Sequence, residues 1–415
     1  MYIGAIADDL TGATDLSLTF SRQGMRVLQV VGVPAQAAFG DADVVVVSLK
    51  SRTIPAAAAV AQSVAAARVL LAAGAQQLFF KYCSTFDSTD AGNIGPVIDA
   101  LLDLIGETRT IACPAFPANQ RTVFKGHLFV GDALLSESTM KDHPLTPMRD
   151  ANLVRVLQRQ TALPVSLIAR EVVAGPLPQL ETALDVLEGI AIVDAVTDED
   201  LRAIGRAARR LKLITGGSGV AMGLPANFIA SAIGIDGRQP ISVPPGGAVI
   251  LAGSCSAATR RQVEVAIADG TPALRLDAIA IAEQRLSVED AVRFVLANMG
   301  TRPPLVYSSI DPAGIAAVQD KLGRAASGAL VEAFLAALAS QLSQHGVNRF
   351  LVAGGETSGA VVEALGVGAL EIGPEIDPGV PWTRSRSPDR PTALALKSGN
   401  FGSDDFFLKA WELVA

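Results

Sequence analysis

Short, almost unbroken apolar runs recur through the first half of the chain, at residues 3–7, 27–31, 44–48, 78–82, 110–112, 190–193 and 211–215. Runs of this length, rich in Val, Ile and Phe and without polar alternation, are what strands buried on both faces look like. Between several of them lie helix-like stretches at 55–73, 94–105 and 198–211. Strand alternating with helix predicts a mostly parallel sheet covered on both faces. Residues 131–150, with their Ser, Glu, Lys, His and Pro, break the rhythm and predict an irregular insertion.

A second series comes after the turn-rich segments 236–240 and 244–247, which form the best linker candidate. Strands are predicted at 248–252, 305–308, 350–353, 369–372 and 392–397, and helices at 256–268, 288–299 and 329–345. The fold class expected is therefore α/β with two domains, each a mostly parallel sheet flanked by helices. The division falls at residues 1–236, a linker 237–247, and 248–415. The length of 415 residues suits this, at about 150 residues per domain.

Composition narrows the class of function. With 34 Lys+Arg against 41 Asp+Glu, the formal net charge of −7 argues against a protein that coats a polyanion. Hydrophobic residues at 50% and charged residues at 18% exclude a disordered chain. No run of about 18 consecutive apolar residues is present, so no membrane span or membrane partner is expected. Cys83, Cys113 and Cys255 are too widely spaced for a zinc ribbon or a disulfide framework. Asp8 and Asp9 directly succeed the first apolar run, with no basic leader before it. A cytoplasmic location is the expectation.

In an open parallel sheet, ligands bind beyond the carboxyl ends of the strands. In the second half, the loops 253–259, 308–309, 354–359 and 397–402 sit there and are rich in Gly, Ser and Thr. Small residues let backbone approach an anion, and helices starting near Ser256 or Thr357 would aim free N–H groups at it. Phosphate binding is the functional reading, and simple helix capping is the alternative. The P-loop pattern is absent. In the first half, Asp8 and Asp9 with Thr11, Thr14 and Asp15, and the stretch from Lys81 to Thr89, suit a hydroxyl-rich small molecule. An aspartate there could take the proton from a reacting hydroxyl, although acid pairs also cap helices. The glycines between Gly216 and Gly223 only faintly imitate a dinucleotide fingerprint, and a tight turn is the better reading. His127, His143 and His345 are scattered, so no histidine metal centre is expected, and no Gly-x-Ser-x-Gly elbow appears.

Several of these segments, taken in order, carry a resemblance: residues 6–15 (IADDLTGATD), 86–89 with Gly92 and Asn93, 113–121 (CPAFPANQR), 251–256 (LAGSCS), 354–359 (GGETSG) and 397–402 (KSGNFG). Together they resemble the four-carbon acid sugar kinases from the first strand to the last helix. The resemblance implies a sugar-acid-binding N-terminal domain, a nucleotide-binding C-terminal domain, and an active site in the cleft between them. Many threonate- or erythronate-acting members carry an arginine where this chain has Ala91, whereas residues 82–95 and 142–148 resemble the 3-oxo-tetronate 4-kinase branch. On that resemblance the substrates are ATP and a 3-oxo-tetronate of the 3-dehydro-erythronate type, phosphorylated on its 4-hydroxyl. Mg²⁺ is expected with the nucleotide, no metal ligands are assigned, and a homo-oligomer is compatible. Asp87, Asp8 and Asp9 are the candidates for the catalytic carboxylate, and Lys81, Ser88 and Thr89 for substrate binding. Ser256, Gly355, Glu356, Thr357, Ser358 and Gly399 are the candidates for ATP contacts. The alternatives are a threonate or erythronate 4-kinase, a non-catalytic sugar-acid-binding protein, or a dehydrogenase built on the glycines at 216–223.

Overall fold

The apolar runs become strands with almost every side chain buried. Val44–Ser48 and Gln77–Lys81 are buried along their whole length, as strands covered on both faces must be. A computed structural model describes the chain except residues 38, 144–145, 230–241, 243–244, 310–319, 388–389 and 415. Contacts divide it into two units, Met1–Gly237 and Arg238–Ala415. The expected linker lies largely outside the described residues, as do positions 144–145 of the 142–148 segment.

In the first unit the sheet runs β2 (Val27–Val31), β3 (Val44–Ser48), β1 (Ile3–Ala7), β4 (Gln77–Lys81), β11 (Leu213–Gly216), β5 (Arg109–Cys113), β10 (Gly189–Val193) and β9 (Val165–Ile168). All of these neighbours pair in parallel. From β1 the chain passes through helix α1 (Leu10–Arg22) to β2 and β3 on one side of β1. It then returns through α2 (Ala56–Ala72) to β4 on the other side. The direction of winding therefore reverses at β1, and the crevice beyond β1 and β4 is a topological switch point.

The stretch expected to be irregular is partly ordered. It holds β8 (Ala133–Leu134), which completes a small antiparallel sheet with β6 (Arg121–Phe124) and β7 (His127–Val130) just before it, and 3₁₀ turns at Leu135–Glu137 and Thr139–Asp142. The strand predicted at 211–215 begins two residues later, because the preceding helix ends in a 3₁₀ turn, Ala208–Arg210. The glycines of 216–223 serve packing: a Cβ on Gly216 would lie 2.2 Å from the Cys113 carbonyl oxygen, and one on Gly205 would lie 2.5 Å from Gly223 Cα. β11 leads into a 3₁₀ helix, Ser218–Met222, so the dinucleotide reading loses its helix.

In the second unit the order is β13 (Ala273–Arg275), β14 (Leu305–Tyr307), β12 (Gly247–Ala252), β15 (Val347–Ala353), β18 (Ala393–Lys397), β17 (Val380–Ser385) and β16 (Ala369–Asp377). The first five are parallel, and β17 is antiparallel to both of its neighbours. Winding reverses at β12, which places a second switch point beyond β12 and β15. The mixed sequence of β17, Val-Pro-Trp-Thr-Arg-Ser, does not predict a strand; Trp382 nevertheless is fully buried and donates its indole N–H to the Ala410 carbonyl at 2.7 Å. One helix, within Arg324–Gln344, is long and apolar enough to cross a membrane by length and composition alone, although Ser, Glu and Gln interrupt its apolar residues. Its Leu335, Leu338, Ala339 and Leu342 are fully buried, as in a core helix.

Candidate functional site

Both switch points carry the residues that the sequence singled out. In the first unit, parallel pairing places Ala7 beside Ser48 and Lys81, so the segments after β1, β3 and β4 leave the sheet at one edge. The chain after β3 is tied to β1, with the N–H groups of Ser51 and Arg52 both donating to the Asp8 carbonyl (2.9 and 3.2 Å). The Arg52 side chain then turns back onto the acids. Its Nε and Nη2 make a bidentate contact with Asp8 (2.9 and 2.7 Å), Nη2 also reaches Asp9 at 2.8 Å, and Nη1 stands 3.6 Å from Asp87. One guanidinium therefore gathers all three candidate carboxylates.

Arg52 is the residue that sequence reading missed. The Asn93 amide secures its loop by donating to the carbonyls of Ser51 (2.7 Å) and Ile54 (2.9 Å). That gives the Gly92-Asn93 pair of the family-like segment a concrete role.

The three acids differ. Asp9 is the N-cap of α1: its carboxylate accepts the Gly12 N–H at 3.0 Å and the Thr11 hydroxyl at 2.7 Å. Capping and the contact with Arg52 thus coincide in one side chain. Burial pushes Asp9 upward, but Arg52, Lys81, Thr11 and Gly12 outweigh it, and its carboxyl titrates below the usual range. For Asp8, burial prevails over Arg52 and holds the carboxyl above that range. Asp87 accepts the Thr85 hydroxyl at 2.6 Å on one oxygen, and among the described residues the other has only the long Arg52 contact. It is the least committed of the three.

Lys81 ends β4, is 3% exposed, and donates to the Tyr82 carbonyl at 2.9 Å. A Cβ on Gly12 would come 3.1 Å from its ammonium and 2.3 Å from Asp9 Oδ1, so only glycine lets the first turn of α1 approach this closely. Ser88 and Thr89 sit one step further out, where Gln160 donates to the Ser88 hydroxyl (2.9 Å) and the Thr89 carbonyl (2.6 Å). Phe86 stands between them and Tyr82 with φ of 63°, an uncommon conformation for an aromatic residue, and is fully buried against the Tyr82 ring. Such strain is concentrated at functional loops. Burial holds the Arg121 guanidinium below its usual range, and its buried Nε, like Nδ2 of Asn119, has no acceptor among the described residues.

In the second unit three loops converge. A Cβ on Gly253 would lie 2.1 Å from Thr357 Oγ1, one on Gly354 3.2 Å from the Ser254 nitrogen, and one on Gly399 2.4 Å from Ser254 Oγ. The segments after β12, β15 and β18 therefore touch through their glycines, and Ser256, Gly355, Glu356, Thr357, Ser358 and Gly399 share one place. The helix Ala257–Ala268 is closed by Ser256, whose hydroxyl accepts the Thr259 N–H at 3.2 Å. The helix Gly355–Ala364 is not: its N-cap is Gly354, at φ of 130°, and no side chain caps it. Its first turn also holds the buried Ser358 hydroxyl, which has no partner among the described residues. An uncapped helix start among glycines is a seat for phosphate. Among the described residues no group of three or more His, Cys, Asp or Glu could hold a metal ion.

Comparison with known proteins finds two family models that match the chain. Residues 3–224 match the family described as the sugar-binding N-terminal domain, and residues 249–407 the nucleotide-binding C-terminal domain. A Burkholderia multivorans protein named 3-oxo-tetronate kinase is 54% identical over 98% of this chain and 96% of its own. Relatives from Cupriavidus necator and Haemophilus influenzae, at 53% and 42% identity, carry the same name. Among solved structures, a Salmonella typhimurium LT2 protein described as a tRNA synthase is 39% identical with a TM-score of 0.86 over the whole of both chains. A Haemophilus influenzae protein of family DUF1537 is 40% identical with a TM-score of 0.78, covering 99% of this chain and 100% of its own.

Proposed function

The chain belongs to the four-carbon acid sugar kinase family, and we propose that it transfers the γ-phosphoryl group of ATP to the 4-hydroxyl of a 3-oxo-tetronate. The observation that carries this reading is the pairing of two unlike switch-point sites in one chain. One gathers carboxylates and cations suited to a hydroxy acid, and the other presents glycine loops and an open helix start suited to phosphates. Full-length similarity to proteins named 3-oxo-tetronate kinase supports the choice of acceptor, as does Ala91 in place of an arginine.

In the proposed reaction Asp87 accepts the proton of the 4-hydroxyl as its oxygen bonds to the γ-phosphorus and the bond to the β-phosphate oxygen breaks, leaving ADP. Phosphoryl transfer asks the protein mainly for positioning and charge neutralisation. Lys81 and Arg52 supply positive charge to the sugar acid. The uncapped amides after Gly354 and around Gly399 hold the phosphates. Mg²⁺ enters as part of the MgATP substrate and is bound by no assigned protein ligand. A place in sugar-acid catabolism fits the substrate class.

The test is ADP release in a coupled assay with four-carbon acids. The division of labour has its own check. Gly253→Val pushes a side chain into Thr357, and is expected to raise the KM for ATP roughly tenfold or more while leaving sugar-acid affinity within twofold. If sugar-acid affinity falls instead, the two sites have been assigned the wrong way round.

A further inference from the structure

Lys397, the last residue of β18, is fully buried, and among the described residues no carboxylate pairs with it. Its ammonium donates at 3.0 Å to each of three oxygens: the Thr259 hydroxyl and the carbonyls of Ser398 and Gly399. The Gly399 carbonyl also accepts from the Ser256 and Thr259 hydroxyls, at 2.5 and 2.8 Å. Two successive carbonyls are thus drawn inward onto one cation. In a trans peptide the N–H points opposite to the carbonyl it is bonded through. The N–H groups of Gly399 and Asn400 must therefore point the other way, and neither has an acceptor in the protein among the described residues. Asn400 is exposed, and Gly399 abuts Ser254 in the convergence of glycine loops.

We infer that Lys397 is a positioning residue for the nucleotide phosphates: it turns the Gly399 and Asn400 amides outward as a two-donor anion seat and supplies the positive charge behind them. Consecutive outward amides form an anion-binding concavity. The inference rests on the nucleotide reading of this unit and adds to it a residue that makes no contact with the ligand itself.

The same burial gives a signature. It pulls the ammonium down to about 7. The elements packed against it carry Arg349 on β15, Arg384 on β17, Glu356 and Glu363 on the Gly355–Ala364 helix, and Arg260, Arg261 and Glu264 on the Ala257–Ala268 helix; the cause of the shift is burial. The charged form favours a bound polyanion, so binding raises this value. Below pH 7 the group is already charged in both states and affinity is flat. Above it, binding must draw in a proton, and affinity falls by up to about tenfold per pH unit.

Isothermal titration of the full chain with MgADP at pH 8, in two buffers of different ionisation enthalpy, tests this. At that pH MgADP carries no titrating proton of its own. The expected result is uptake approaching about 0.9 proton per nucleotide, with the Kd rising from pH 7 to 9. Lys397→Met should abolish the uptake and weaken MgADP roughly tenfold or more, with sugar-acid binding unchanged. Binding to the unaltered chain without proton uptake and with a flat pH profile overturns the inference, whether or not the variant folds. Failure of the unaltered chain to bind MgADP at all overturns the nucleotide reading instead.

Discussion

Asp87→Asn is expected to lower kcat by about 10²–10⁴-fold, the range that a positioned proton acceptor contributes, while the KM for ATP stays within twofold. Asp87 is chosen over its neighbours because of what each acid already does. Both oxygens of Asp8 are taken by the fork of Arg52, and Asp9 is occupied by the Gly12 amide, the Thr11 hydroxyl and the same guanidinium. Among the described residues Asp87 keeps one oxygen free of any short contact. The asparagine can still accept the Thr85 hydroxyl, so the loop should keep its shape. Steady-state kinetics decides: unchanged turnover removes Asp87 from the chemistry and returns the role to Asp8 or Asp9.

Arg52→Met should produce the largest loss of stability of any single change considered. Removing one partner of a buried ion pair typically costs about 3–5 kcal/mol, because the charge left behind is uncompensated. Here the buried Asp8 and Asp87 and the partly exposed Asp9 are left together. On a domain of this size the melting temperature should fall by roughly 10 °C. The pH dependence fixes the cause. In the unaltered chain Asp9 titrates below its unfolded value, so its contribution is present above that value and is lost as the pH falls through the depressed one. Asp8 already titrates above its unfolded value with Arg52 in place; without Arg52 both acids are expected to do so, and the strain of burying them charged is relieved as the pH falls. The difference in melting temperature between the two proteins should therefore narrow from pH 8 to pH 5. A constant difference would mean that Arg52 acts through packing alone.

Much of the fold was legible because the central strands are buried on both faces. Val44–Ser48 could hardly be anything else, and the alternation of strand and helix led to the switch points. The features that were not legible depended on contacts distant in sequence. β17 carries Pro381 and Arg384 beside Trp382, and becomes a strand only because β16 and β18 pair with it. The small sheet of β6 to β8 hid inside turn-rich sequence because its strands are two to four residues long. At the site, Asp8, Asp9 and the glycine loops announced themselves by standing after strands. Arg52 did not, because Ser-Arg-Thr spells no motif, and its role comes from β3 lying beside β1. Lys397 was visible only as the first residue of a loop; that it serves the loop from beneath required the carbonyl geometry.

The acceptor is decided by kcat/KM in a coupled ADP-release assay that compares 3-oxo-tetronates with threonate and erythronate. The expected result is turnover of a 3-oxo-tetronate to a 4-phosphate, with kcat/KM at least about tenfold higher than for either reduced acid, a difference of about 1.4 kcal/mol in transition-state binding. Equal or better turnover of threonate or erythronate would contradict the choice of acceptor, and binding of these acids with no ADP released from any of them would contradict the kinase itself.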